Sequence, residues 1–220
     1  MTTVPEISAA ALAALPIFPL PNCVLLPGGL MPLHVFEPRY RQLTRDCLAG
    51  DQVMGVARLR PGFEVDYHGR PPIYAQLGVG RVMASEELPD GRFLLLLRGV
   101  GRVELVEELP SRRPYREVRA RILVDTAPEP GQLHASHTKL IGLCDRLAHL
   151  LEQGGGQLRD LVRTGDPGAC ADAVAAALAQ DPDERQHLLA CLCPQTRIDR
   201  TIALVGSLLC ELAPCEGEAN

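Results

Sequence analysis

The run from residue 15 to residue 43, LPIFPLPNCVLLPGGLMPLHVFEPRYRQL, constrains this chain more than any other segment. Proline fixes φ and has no N–H to donate, so Pro16, Pro19, Pro21, Pro27 and Pro32 exclude a helix before Pro38. The apolar pieces between them, Ile17-Phe18 and Cys23-Val24-Leu25-Leu26, read as short buried strands that end in a Pro-Gly-Gly turn. From Glu37 the pattern changes. Pro38 stands where a first helical turn needs no amide donor, so Glu37-Pro38-Arg39-Tyr40-Arg41-Gln42-Leu43 opens a helix.

Strand signals continue over 52–59, 73–88, 93–109 and 115–124, separated by clusters of Pro, Gly and Asp. Leu88-Pro89-Asp90-Gly91-Arg92 is the clearest turn and joins the two longest runs into a hairpin. Within those runs Gly78-Val79-Gly80-Arg81-Val82 recurs as Gly99-Val100-Gly101-Arg102-Val103. A dinucleotide fingerprint would need a third glycine at a strand-to-helix turn, but Met83 and Glu104 occupy those positions and the strand pattern runs on. The glycines are expected instead to let strands bend or bulge as a small barrel closes.

Past Pro128-Glu129-Pro130-Gly131 the apolar period lengthens from two to about 3.6. Leu140, Leu143/Cys144, Leu147 and Leu150/Leu151 form one helical stripe, which stops at Gly154-Gly155-Gly156. Asp166-Pro167 and Asp181-Pro182 each offer an N-cap followed by proline, opening helices over 168–180 and 183–193. Ile198, Ile202, Val205, Leu209 and Leu212 mark a final helix. The expected organisation is an arm (1–13), a β-rich subdomain (14–125), a hinge (126–131), a helical bundle (132–213) and a tail (214–220), an α+β chain.

The order LP-F-PLPN-V-LPG---PL-VFEPRY resembles the opening of the Lon N-terminal domain family. That family includes the front part of ATP-dependent Lon proteases, the central part of cereblon and small stand-alone bacterial proteins. The likeness continues through Gly55-Val56, Gly78-Val79-Gly80, Asp90-Gly91-Arg92 and Leu97-Arg98-Gly99, so it is densest over 14–125. It implies a PUA-like pseudo-barrel with one or two short helices, followed by an α-helical bundle. It also implies a non-enzymatic module that holds polypeptide, as an adaptor or regulator in proteolysis or protein quality control. In the resemblance, Glu37 and Arg39 serve helix entry and a local ion pair.

Composition narrows the function classes. A net charge of −5 and a pI near 5.7 argue against a general nucleic-acid or membrane-surface binder. No apolar stretch is long enough to span a bilayer, and the Ala-rich segment 7–15 follows Glu6 without the basic flank of a signal peptide, so a cytoplasmic chain is expected. Eight cysteines, at 23, 47, 144, 170, 191, 193, 210 and 215, include no C-x2-C pair and are expected to be free and buried. The single lysine, Lys139, rules out a P-loop within these residues, and no serine lies in G-x-S-x-G. Ser136 and Lys139 do not inherit the Ser–Lys dyad of Lon proteases, which belongs to a separate domain of that family. Catalytic residues, metal ligands and cofactors are accordingly expected to be none.

Two surfaces remain as candidates. Gly28, Gly29, Leu30 and Met31 form a turn whose Leu-Met pair, if exposed, would suit tolerant binding of unfolded or flexible polypeptide. Alternation along 115–122 turns Val118, Ala120 and Ile122 inward and Glu117, Arg119 and Arg121 outward. With Arg112, Arg113 and Arg116 this makes an arginine face able to meet an acidic partner or, in an alternative reading, nucleic acid. A protease, a chaperone and a second copy of the chain are the further partners this reading admits. A cysteine hydrolase is the remaining alternative.

Overall fold

The structure is a computed structural model that describes residues 7–67, 69–110, 112–129, 131–163 and 165–212. A short helix, α1 (Ala9–Ala13), is capped by Ser8, whose hydroxyl accepts from the Ala11 amide. Strands β1 (Leu15–Leu20) and β2 (Leu30–Val35) follow, then α2 (Pro38–Ala49), β3 (Val53–Arg58), a 3₁₀ turn (Phe63–Asp66), β4 (Gln76–Glu87), β5 (Phe93–Glu108) and β6 (Arg116–Ile122). Helices α3 (His134–Leu150), α4 (Gly155–Leu161), α5 (Pro167–Leu178), α6 (Pro182–Ala190) and α7 (Pro194–Leu212) complete the described chain. The architecture is α+β, a near-barrel followed by packed helices.

The sheet runs β2-β5-β4-β3-β1-β6, and β6 pairs back onto β5, so five strands close a ring and β2 hangs outside it. β1 and β3 are parallel; the other pairs are antiparallel. The length of β5 makes this possible, because Phe93–Arg98 pairs with β2 while the later part from Val103 to Glu108 pairs with β6. The β4–β5 hairpin turns at Gly91 (φ +76°), where the Leu88 amide donates to the Arg92 carbonyl at 2.8 Å. The ladder slips between Val79 and Gly80 and again between Val82 and Ala84, which places one bulge at the repeated glycine motif.

The Cys23–Leu26 piece is not a strand. It is an irregular joint, buried because it passes between the barrel and the helices. Leu25 packs into the barrel core with Phe18, Met54 and Leu97, whereas Val24 and Leu26 pack against Ala175, Leu188 and Leu189 of α5 and α6. Backbone buried outside a ladder needs partners, and Arg185 supplies them. Its guanidinium donates to the Val24 carbonyl at 2.8 and 3.1 Å and to the carbonyls of Ala176 and Ala179 at 3.0 Å. The glycines of the repeat make room for this joint. A Cβ on Gly78 would stand 2.0 Å from the Leu25 carbonyl oxygen, and one on Gly99 would stand 2.1 Å from that of Leu26.

The helical half follows its caps. Asp166 accepts from the Ala169 amide at 2.7 Å, and Asp181 accepts from the amides of Asp183 and Glu184. α6 ends at Ala190, three residues before the expected 193, because tertiary bonds take the next residues out of helix: Arg197 donates to the Cys191 carbonyl and the Thr126 amide to that of Leu192. The glycine triplet ends nothing; it opens α4, which the sequence pattern did not suggest. Gly155 lets α4 lie against α3, for a Cβ there would meet the Ala148 carbonyl at 2.3 Å. Leu140, Cys144, Leu147, Ile198 and Val205 fill the bundle core. Cys47, Cys144 and Cys170 are buried as expected, but Cys193 and Cys210 are exposed, Cys23 and Cys191 are half-buried, and Cys215 lies outside the described residues. So do residues 1–6 of the expected arm and the whole of the expected tail.

Candidate functional site

The outer face of the β2–β5–β4 layer displays large apolar side chains among a few polar ones. Side chains directly opposite in a ladder share a face, and the register sets Pro32 against Leu96 and Ala84, His34 against Leu94 and Glu86, and Leu30 against Arg98. Leu30 is 63% exposed, Leu94 43% and Met83, at the bulge, 53%. Phe36, just past β2, extends the patch at 60% exposure, its ring 6.1 Å from that of His34. The alternate residues Val35, Leu95 and Leu97 are buried, so the exposure is a property of one face and not of loose packing. β2 is the edge of the sheet, and Pro32 removes one donor from that edge, a feature that blunts strand-to-strand association while leaving side chains displayed.

The candidate turn divides into an anchor and a display. The Gly28 amide donates to the Gly99 carbonyl and the Gly99 amide donates to the Gly29 carbonyl, both at 2.8 Å. Gly28 takes φ +79°, a left-handed conformation that favours glycine. Gly29 is buried against α5, where a Cβ would come within 2.9 Å of the Ala176 Cβ. Leu30 points outward, but Met31 is half-buried and packs on the barrel core. Of the four turn residues, only Leu30 therefore contributes a large apolar surface to the outer face. Phe36, Met83 and Leu94 belong to it as well and were not singled out from the sequence. Counting strand parity back from the Asp90-Gly91 turn would have found Leu94. The uninterrupted apolar run Phe93–Leu97 hid which of its residues face out.

The arginine row is zipped to acids. Val118 and Ala120 are buried and Arg119 and Arg121 exposed, with the expected alternation. The β5–β6 register sets Glu104 opposite Arg121 and Glu107 opposite Arg119, and each pair is joined by an ion pair. Arg116 is nearly buried; its Nε and Nη2 donate to Glu108 at 2.8 Å and its Nη1 to the Pro71 carbonyl. Arg113 pairs with Asp46 of α2, whereas Arg112 is exposed with no ion pair among those described. Exposed pairs of this kind contribute about 0–1 kcal/mol each. Their larger effect is to make the outer face of β6 mixed in charge. Among the described residues no group of His, Cys, Asp and Glu is arranged to hold a metal ion, and no helix is long and apolar enough to cross a membrane.

The comparisons with known proteins agree with this geometry. A family model described as the ATP-dependent protease La (LON) substrate-binding domain matches residues 14–206. Lon protease 2 of Myxococcus xanthus is 29% identical over 194 residues, covering 87% of this chain and 23% of its own length. Lon protease of Anaeromyxobacter dehalogenans is 28% identical over 179 residues, covering 80% of this chain and 21% of its own. This chain thus spans less than a quarter of the length of either relative. In fold, the N-terminal domain of Mycobacterium avium complex Lon protease superposes with a TM-score of 0.67 at 17% identity, over 88% of this chain and 98% of that one. A Lon N-terminal domain protein from Xanthomonas campestris does so at 0.60 and 26% identity, over 86% and 97%. On the family match, the chain belongs to the family of ATP-dependent protease La (LON) substrate-binding domains.

Proposed function

We propose that this chain is a non-enzymatic module that binds unfolded or flexible polypeptide on the outer face of β2 and the N-terminal half of β5, as an adaptor or regulator in proteolysis. The observation that carries the reading is the exposure of Leu30, Phe36, Leu94 and Met83 on one layer at an open sheet edge. Several large apolar side chains exposed on one face of a protein with a well-filled core mark a place where another molecule is held. Leucine, methionine and phenylalanine side chains accept many apolar partners without directional bonds, which suits a client that has no fixed structure. Membership of a substrate-binding family supports the same reading. The mixed charge of the β6 face, with Glu104 and Glu107 set beside Arg121 and Arg119, weighs against nucleic acid there.

The test is fluorescence anisotropy with a permanently unfolded, reduced and alkylated model protein. The Leu30→Ser/Leu94→Ser double variant is expected to bind at least about tenfold more weakly, the equivalent of roughly 1.4 kcal/mol, with an unchanged circular dichroism spectrum. Equal binding by the variant, or no binding by the parent chain, ends this reading.

A further inference from the structure

The end of β1, the start of α2 and the segment leading into β6 enclose a cleft of about 120 Å³. Its described lining carries four guanidiniums, from Arg39, Arg70, Arg113 and Arg116, and two phenols, from Tyr40 and Tyr115; Pro19, Gly69 and Pro114 complete it. No carboxylate is among those lining residues. The acids that hold the arginines are already engaged. Glu37 accepts from Arg39 Nε at 3.0 Å and from the Tyr67 hydroxyl at 3.3 Å. Glu108 accepts twice from Arg116 at 2.8 Å and pairs with Arg70 at 3.2 Å. Asp46 accepts from Arg113, from the Tyr115 hydroxyl at 2.6 Å and from Gln42 at 2.8 Å.

We propose that this cleft is a binding site for a phosphate group. The acids that offset these guanidiniums, Glu37, Asp46, Glu108 and Glu117 (3.6 Å from Arg113 Nε), all stand outside the lining, so the charged side chains on the wall of the cleft itself are all guanidiniums. The second contribution is the helix itself. Arg39 and Tyr40, both on the lining, stand in the first turn of twelve-residue α2, whose N-cap residue Glu37 makes no side-chain cap bond, so the positive end of the helix dipole lies beside the cleft. Each guanidinium carries five donors, and the side-chain hydrogen bonds described above engage one on Arg39 and one on Arg113. Pairing with the acids and stacking on aromatic rings also fix the guanidiniums: that of Arg39 lies 4.7 Å from the Tyr40 ring centre and 5.7 Å from that of Tyr67.

The chemistry of the ligand follows from number and size. A carboxylate satisfies one guanidinium fork, whereas a phosphate presents three or more acceptor oxygens and close to two negative charges. The volume is well below the roughly 300 Å³ at which whole small-molecule cofactors are taken up, so the site fits a group and not a nucleotide. That group is either free phosphate or a phosphorylated side chain of a bound polypeptide.

The test is a titration with inorganic phosphate at constant ionic strength, followed through the arginine Nε–H and Gly69 amide NMR signals, with chloride as the control. Saturable shifts at Arg39, Arg113 and Gly69 are expected with phosphate and not with chloride. Arg70→Gln is expected to weaken binding about tenfold, since Arg70 is partly exposed and its loss leaves the Arg116–Glu108 pair in place. Arg113→Gln provides a second variant in which Asp46 keeps Tyr115 and Gln42. A short phosphoserine peptide that binds more tightly than free phosphate assigns the group to a phosphorylated polypeptide; equal affinity assigns it to free phosphate. No saturable shift beyond that given by chloride, or unchanged affinity in both folded variants, overturns the proposal. Neither failure would touch the apolar face on β2 and β5, which shares none of these residues.

Discussion

The Arg102 guanidinium on β5 donates to the Asp172 carboxylate on α5 at 2.7 Å, with the two side chains only 4% and 7% exposed. Arg197 of α7 reaches the same carboxylate at 3.1 Å, and both arginines bind Asp125, which follows β6. This four-membered network joins the barrel to the helices. Removing one member of a buried ion pair strands its partners without water, which costs about 3–5 kcal/mol. Asp172→Ala is therefore expected to lower the stability to urea by that amount. A loss below about 1 kcal/mol would show that the network does not hold the halves together.

Glycine placement makes opposite predictions at different sites. Gly78→Ala drives a methyl group into the Leu25 carbonyl, so the joint or the strand must move; overpacking of this kind costs about 1–3 kcal/mol. Gly142, on the exposed side of α3, has nothing within 4 Å of its Cβ position, and Gly142→Ala is expected to add about 0.5–1 kcal/mol through helix propensity. Thermal unfolding of the two variants checks both signs.

Acid should act through Asp46. Burial raises its pKa, but hydrogen bonds from Tyr115, Gln42 and Arg113 outweigh that and hold the carboxyl below its ordinary 3.8. A depressed folded pKa adds stability above the unfolded value, and the gain is lost as pH falls from 3.8 through the folded pKa. Urea denaturation of Asp46→Asn between neutral pH and that range should show a smaller acid-induced loss than the parent chain. Parallel pH curves would refute this account.

Alkali should act through the tyrosines. Burial pushes the Tyr40 phenol up from 10 to about 12, and burial together with the hydrogen bond to Asp46 raises Tyr115. The folded chain keeps these protons where the unfolded chain has lost them, so stability falls as pH rises from 10 towards 12. Tryptophan is absent, which leaves phenolate absorbance easy to follow. Delayed ionisation of part of the tyrosine signal, advanced by urea, is the expected result; complete titration near 10 in the folded chain would contradict it.

Thiol reactivity should be uneven. Bonds from Thr196, by its hydroxyl and its amide, hold the exposed Cys193 thiol below its ordinary 9.0, while burial pushes Cys47 and Cys144 up to about 12. The thiolate is the reactive form, so mass-spectrometric mapping of brief iodoacetamide labelling should find Cys193 modified well before Cys47 or Cys144. Equal labelling of the three in the folded chain would exclude these local environments.

Much of the fold was legible because its signals are local. The β4–β5 hairpin follows from Asp90-Gly91, α2 from Glu37-Pro38, and α5 and α6 from their Asp-Pro caps. The Cys23–Leu26 segment was misread because four apolar residues between turn signals look alike whether they pair in a ladder or wedge between two cores. α4 was hidden by glycines that usually end helices and here permit a close helix contact. The candidate surface was legible only at Leu30. Its other members come from β4, β5 and the residue after β2, and only pairing brings them together.

The amino-acid sequence by itself determined the family, the α+β order, the β4–β5 hairpin and the lack of local room for a helix between Pro16 and Pro38, since proline geometry, capping and periodicity act over a few residues. Tertiary structure alone decided which face of an all-apolar strand meets solvent, that the β6 arginines are answered by glutamates, and that four arginines from three separate segments converge on one cleft. Those outcomes depend on strand register and on chain crossings between distant residues. Side-chain type does not encode them until the ring has closed.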